Sequence, residues 1–163
     1  PSKAETRVRK KIKNILDRNN INYYFNSPGD DFHFRFRTKD HLVYEHRLST
    51  ASKTNLDFFV VLGIKLDPNA YDRICHLSQM FNDNLNNCIL RVNMEIGSLT
   101  LHNSESLNHC NLDELLILSN IYEIDNYASD IIWAFNKLLQ SNEEAVFIFA
   151  EMLNRADKKH MPV

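Results

Sequence analysis

Cysteine and histidine are the residues here whose placement most invites a chemical reading. Cys75–His76 and His109–Cys110 are adjacent pairs, and a thiolate beside an imidazole is the raw material of a metal site or a thiol relay. Neighbours on a helix point about 100° apart, however, so Cys75 and His76 do not face each other. No C-x-x-C, H-x-x-x-H or H-E-x-x-H spacing occurs, and His41 and His46 stand on opposite faces of a strand. Ser98 follows Gly97 but lacks the G-x-S-x-G elbow, and a tight hairpin accounts for the pair. The adjacent carboxylates have structural uses as well. Asp30–Asp31 falls in a turn, while Asp113–Glu114 and Glu143–Glu144 fall where acids complement the positive end of a helix. No catalytic, metal or cofactor residue is assigned, and the reading is of a protein that is not an enzyme.

Glycine supplies a second exclusion. The three glycines, Gly29, Gly63 and Gly97, are each 34 residues from the next. Both common phosphate-binding loops need two or three within about seven residues. The abundant asparagines are expected to take some of the left-handed turn positions that glycine would otherwise fill.

The basic N-terminal segment is the remaining polar candidate. Residues 1–18 hold seven Lys and Arg against Glu5 and Asp17, a net +5, whereas the rest of the chain is net −7. Such a stripe can track phosphates. A solvated face, or docking on the acidic body or on a partner protomer, is the commoner use. No strand face interleaves aromatic with basic residues, so nucleic acid is the least favoured partner.

The elements that must position these residues follow from periodicity. Val8, Ile12, Ile15 and Leu16 mark an amphipathic helix over 4–18, ended by Asn19–Asn20. Strands are predicted over 22–25, 32–37, 42–48 and 56–64. In the second, Phe32, Phe34 and Phe36 alternate with His33, Arg35 and Arg37; the fourth is nearly continuous in apolar residues, as suits a central strand. Asp67–Pro68 opens a helix to about residue 85 whose face is Tyr71, Ile74, Leu77, Phe81 and Leu85. Asn86–Asn87 breaks it, and strands over 88–94 and 99–103 pair around Ile96–Gly97–Ser98. Asn111 with Glu114 caps a long helix whose apolar positions keep phase from Ile117 to Leu138. Ser141 with Glu144 makes a second capping box, opening a last helix to about Lys158. The order α-β-β-β-β-α-β-β-α-α is that of a single α+β domain over 1–163, an antiparallel sheet flanked by helices.

The longest wholly apolar stretch, Ala145–Ala150, has six residues, far short of the roughly 20 a membrane span needs. The N-terminus has no apolar signal-peptide core, and three widely spaced cysteines do not form a secreted disulfide framework. A cytoplasmic, reducing setting without membrane association is expected. The same six residues are apolar right round a helix, so one face alone cannot absorb them; either the helix is sandwiched or one side meets another chain.

The stretch from Tyr71 to about Phe135 resembles the YbjN-like family, putative bacterial sensory transduction regulators that share the type III secretion chaperone fold. The resemblance lies in Phe81–Asn82–Asp83–Asn84–Leu85–Asn86 running into a strand, in Gly97–Ser98–Leu99–Thr100–Leu101, and in the closing amphipathic helix. Asn19–Asn20–Ile21 departs from the glycine that members often place after the first helix. The resemblance implies a non-enzymatic, commonly dimeric module that binds polypeptides or acts in regulation. The expectation is therefore a homodimeric, chaperone-like protein of the bacterial cytoplasm, contacting a polypeptide along a strand edge or an apolar groove. Phe147, Phe149 and Met152, with Tyr71 and Phe81, are the contact residues expected. Asp at 147 or 149 should weaken association and leave the fold intact. The rival expectation is a small-ligand binder or enzyme, which would show several titratable groups converging in one cavity.

Overall fold

The computed structural model describes residues 3–37, 43–107 and 114–160. Their order is α1 (Lys3–Arg18), β1 (Tyr23–Asn26), β2 (Asp31–Arg37), β3 (Val43–Ser49), β4 (Asn55–Leu62), α2 (Tyr71–Asn84), β5 (Ile89–Asn93), β6 (Ser98–Ser106), α3 (Glu114–Gln140) and α4 (Ala145–His160). A 3₁₀ turn, Pro68–Ala70, leads into α2. This is the order read from periodicity, and the fold is α+β, with one six-stranded antiparallel sheet ordered β1-β2-β3-β4-β6-β5. His41, His109, Cys110, Asn111 and Asp113 lie outside the described residues.

The chain folds into two compact units, Pro1–Val61 with His102–Glu123, and Leu62–Leu101 with Ile124–Val163. It changes unit inside β4, β6 and α3 rather than in a loop, so no linker marks the boundaries.

The first unit is built on period-2 strands. Phe32, Phe34, Leu48, Leu56, Phe58 and Val60 are buried, as are Ile12, Ile15 and Leu16 of α1. β4 alternates in burial despite its continuous apolar sequence: Phe58 and Val60 face inward, while Phe59 is half-buried and Val61 exposed. The first helix ends as expected, with Asn20 in the left-handed region at φ 54°. Asn19 closes it, its amide donating to Ile15 O (2.8 Å) and to Glu114 Oε1 (2.7 Å). The β1–β2 turn puts Asp30 at φ 53°, and its carbonyl accepts from both the N–H and the hydroxyl of Thr50, each at 2.8 Å.

The second unit packs Ile74, Leu77, Phe81, Ile124, Ile131, Phe135, Leu138, Ile148 and Phe149. Asp67 caps the 3₁₀ turn as its sequence indicated, accepting from Asn69 N at 2.9 Å. α2 stops at Asn84, two residues before the Asn86–Asn87 pair, with Leu85 already extended. Gly97 turns the β5–β6 hairpin at φ +64°, and a Cβ there would lie 3.1 Å from the Leu66 carbonyl. α3 is one helix of 27 residues, with no break at Asp125–Asn126.

The second capping box does not form. α4 begins at Ala145, and Glu144 supplies the first accepting carbonyl, to Phe147 and Ile148. Ser141 instead serves the end of α3: its hydroxyl donates to Lys137 O (2.7 Å) and accepts from Glu143 N (3.3 Å). Arg73 completes that end, its Nη1 donating to the carbonyls of Leu138 (3.2 Å), Ser141 (3.1 Å) and Glu143 (2.9 Å). The last carbonyls of a helix have no partner within it and carry its partial negative charge, so a guanidinium is the matching group. Arg73→Ala is expected to lower stability by about 1–2 kcal/mol, read as the shift of a urea unfolding midpoint.

Candidate functional site

Three of the five residues singled out in the sequence meet in one place. Phe81 near the end of α2 and Phe149 and Met152 on α4 line an apolar groove of about 280 Å³. Leu85, Ile131 and Leu153 complete its apolar surface, and Asn84, Asn126, Tyr127 and Asp130 supply its polar lining. Helical phase explains the convergence. On α4 the buried positions are Ala145, Ile148, Phe149 and Met152, the i, i+3, i+4, i+7 stripe of a helix packed on one side. Phe149 stands edge-on to Phe81 at 5.2 Å, and Phe81 stacks on Phe135 at 6.1 Å. The groove thus opens at the rim of an aromatic core.

Phe147 and Tyr71 do not line it. Phe147 is 66% exposed on the opposite side of α4, and Tyr71 sits at the start of α2, about 15 Å along the axis from Phe81. The Tyr71 phenol is raised above its ordinary value, first by hydrogen bonding with the Cys75 thiol. Cys75 thus stands beside the phenol one turn before it on α2.

Phe149 is 7% exposed, which corrects the expectation that an aspartate there would leave the fold intact. A carboxylate against Phe81 would be buried without a partner, so Phe149→Asp reports on the core. Phe147→Asp, by contrast, should add its charge to solvent and keep the fold.

A second set of groups comes together in the first unit. His33 lies between two carboxylates, Nε2 3.0 Å from Asp31 Oδ2 and Nδ1 3.2 Å from Glu45 Oε1. Arg47 Nε reaches Asp31 Oδ2 at 2.7 Å, and Arg35 stands 3.9 Å from Glu45. A cavity of about 350 Å³ beside them is lined by Asn22, Tyr23, Tyr24, His33, Phe34, Arg35 and Glu45. Burial, with the hydrogen bond to Asp17 second, raises the Tyr23 phenol above its usual value.

Strand register extends this cluster into a row. Tyr24 pairs with His33, His33 with Arg47 and Arg47 with Phe59 in successive strands. Tyr24 stacks on His33 at 4.7 Å, Arg47 lies 5.5 Å over Phe59, and Phe59 stacks on His102 at 4.5 Å. His102 Nε2 is 2.9 Å from Asp57 Oδ1. Aromatic and basic residues therefore do interleave, across strands rather than along one. Inner faces are spent within the row, Phe59 being flanked by Arg47 and His102 and His33 covered by Tyr24, while Tyr24 itself is 61% exposed. A ring so flanked offers its edge, not a stacking platform for bases.

Among the described residues no group of three or more His, Cys, Asp and Glu is placed to hold a metal, and no helix is long and apolar enough to cross a membrane. Cys88 is buried, and His46 is buried and stacked on Phe34 at 5.1 Å. No protein-family model matches the chain, and no curated protein matches it significantly, so the resemblance to the YbjN-like family gains no support from either.

Proposed function

We propose that this chain is a non-enzymatic protein-interaction module, chaperone-like or regulatory, that seats an apolar anchor of a polypeptide partner in the Phe81–Phe149–Met152 groove. The observation that carries the reading is that these three residues, expected from sequence to be contacts, share one groove with Leu85, Ile131 and Leu153. Its volume, about 280 Å³, falls just below the ~300–1,000 Å³ range of small-molecule pockets, a better match to a buried side chain than to a free ligand. The lining includes Asp130, and Asp83 and Asp125 adjoin lining residues in the chain, so basic residues flanking the anchor suit it.

Peptides with a Leu or Phe anchor flanked by Lys should bind, and their Glu-flanked counterparts should bind at least tenfold less tightly in a fluorescence polarisation assay. Leu153 is 47% exposed, so Leu153→Lys should abolish that binding while changing stability by no more than about 0.5 kcal/mol. Equal binding of both peptide sets, or a variant that binds as the parent does, would remove the proposal. Self-association belongs to the same reading. Phe147, exposed on the other side of α4, offers an apolar contact for a second copy, and Phe147→Asp should convert a dimer to a monomer in sedimentation. A parent protein that is monomeric at every concentration would remove the dimer.

One observation favours a second reading, small-ligand binding beside His33. Five titratable groups, Tyr23, Tyr24, His33, Arg35 and Glu45, line that cavity. His33 already faces Asp31 and Glu45, which leaves Arg35, 74% exposed, as the group most open to a ligand. A ligand that protects the protein against heat, but does not protect Arg35→Ala, would establish this reading.

A further inference from the structure

We infer that the outer face of α1 is a binding surface for the phosphate backbone of a nucleic acid, read without regard to sequence. The inference is independent of the groove, which lies in the other unit. Arg7, Lys10, Lys11 and Arg18 share one helical face with Asn14, and Lys13 flanks it; all are exposed. From Arg7 to Arg18 the face runs about 16 Å, long enough to meet several successive phosphates.

Two observations separate this face from an ordinary solvated one. The first is where the cations are not spent. Off this face Arg9 reaches Asp30 and Arg47 reaches Asp31, and at the end of the face Arg18 stands 3.3 Å from Glu114. Among the described residues no carboxylate lies within ion-pair reach of Arg7, Lys10, Lys11 or Lys13. Asp30, Asp31 and Glu114 are taken by Arg9, Arg47 and Arg18, and Asp17, exposed one turn from Lys13, accepts from the Tyr23 hydroxyl. Four cations within seven residues thus stand without an ion pair among the described residues, an arrangement that favours a dense polyanion.

The second is where the apolar residues of the helix go. Ile12, Ile15 and Leu16 are fully buried and Val8 is half-buried. An interfacial membrane helix needs its apolar face free to enter the lipid. Here that face is committed to the core, which leaves charge alone and favours a phosphate backbone over a bilayer. In the row Tyr24–His33–Arg47–Phe59–His102 only Tyr24 is largely exposed, so the row supplies one stacking ring rather than a platform for successive bases. Binding should accordingly be electrostatic and indifferent to sequence.

The test uses the full chain, because removing residues 1–18 would also remove Ile12, Ile15 and Leu16 from the core. A mixed-sequence 24-base-pair duplex, the matching single strand and phosphatidylserine vesicles are titrated at 50 to 200 mM salt. With about four phosphates engaged, affinity for the duplex should fall about a hundredfold across that range. Lys10→Gln with Lys11→Gln changes only exposed side chains. It should leave the circular dichroism spectrum and the unfolding midpoint unchanged while flattening the salt dependence by about two charges. Binding to the single strand with the same dependence supports the inference too, since the phosphate row is shared. No nucleic-acid binding at 50 mM salt, an unchanged slope in the double variant, or binding to the vesicles alone would overturn it.

Discussion

Phe135→Ala should lower the stability of the second unit by about 3–5 kcal/mol, the largest effect expected of any single truncation in the chain. Phe135 is fully buried and stacks on Phe81, which in turn meets Phe149 edge-on. Removing its ring costs the transfer of an aromatic side chain and leaves a void that Ile131, Leu138 and Phe81 can only partly fill. Phe135 does not line the groove, yet Phe81 and Phe149 do. The substitution should therefore disturb anchor binding through the packing beneath it, whereas Leu153→Lys disturbs binding with the packing intact. Urea unfolding followed at Trp133 and by far-ultraviolet circular dichroism measures the first effect. A loss below about 1 kcal/mol would mean that the site collapses freely and that the Phe81–Phe135–Phe149 cluster is not a rigid floor.

That cluster is largely legible in the sequence. The stripe Ile117–Leu138 keeps helical phase, so its burial follows from spacing. The buried set on α4 obeys the same rule. What spacing does not resolve is which side of an all-round apolar helix faces inward, because Val146, Phe147 and Ala150 are as apolar as their buried neighbours. The phase is fixed by the partners on α2 and α3, a tertiary matter. Capping at Ser141 fails for a related reason: a hydroxyl just after α3 bonds Lys137 O in the preceding turn, and Arg73 brings a guanidinium to the neighbouring carbonyls, that of Ser141 from 68 residues away. The row across the sheet is invisible for a different reason. Tyr24, His33, Arg47 and Phe59 become neighbours only through strand register, and the continuous apolar run of β4 gives no sign that Phe59 points away from the core.

Asp31→Ala, the second large prediction, concerns the residue that organises that row. The carboxylate is 2% exposed, an unusual place for a lone acid. It is held there by Arg47 Nε at 2.7 Å, His33 Nε2 at 3.0 Å and Asn26 Nδ2 at 3.3 Å. Gly29 makes the room, since a Cβ at that position would lie 2.1 Å from Asp31 Oδ1. Truncation leaves Arg47 and His33 without the acceptor that both share. Breaking a buried ion pair costs about 3–5 kcal/mol, but Arg47 is 45% exposed and can turn to water, so a loss of about 2–4 kcal/mol is expected. Gly29→Ala should reproduce part of the loss by displacing the same carboxylate. In a double-mutant cycle, Asp31→Ala and Arg47→Ala should couple by about 1–3 kcal/mol. If Asp31→Ala instead lies within about 0.5 kcal/mol of the parent, the cluster is not held for stability. Its buried carboxylate would then be an energetic cost retained for another purpose, and the cavity beside His33 would become the first place to look for a ligand.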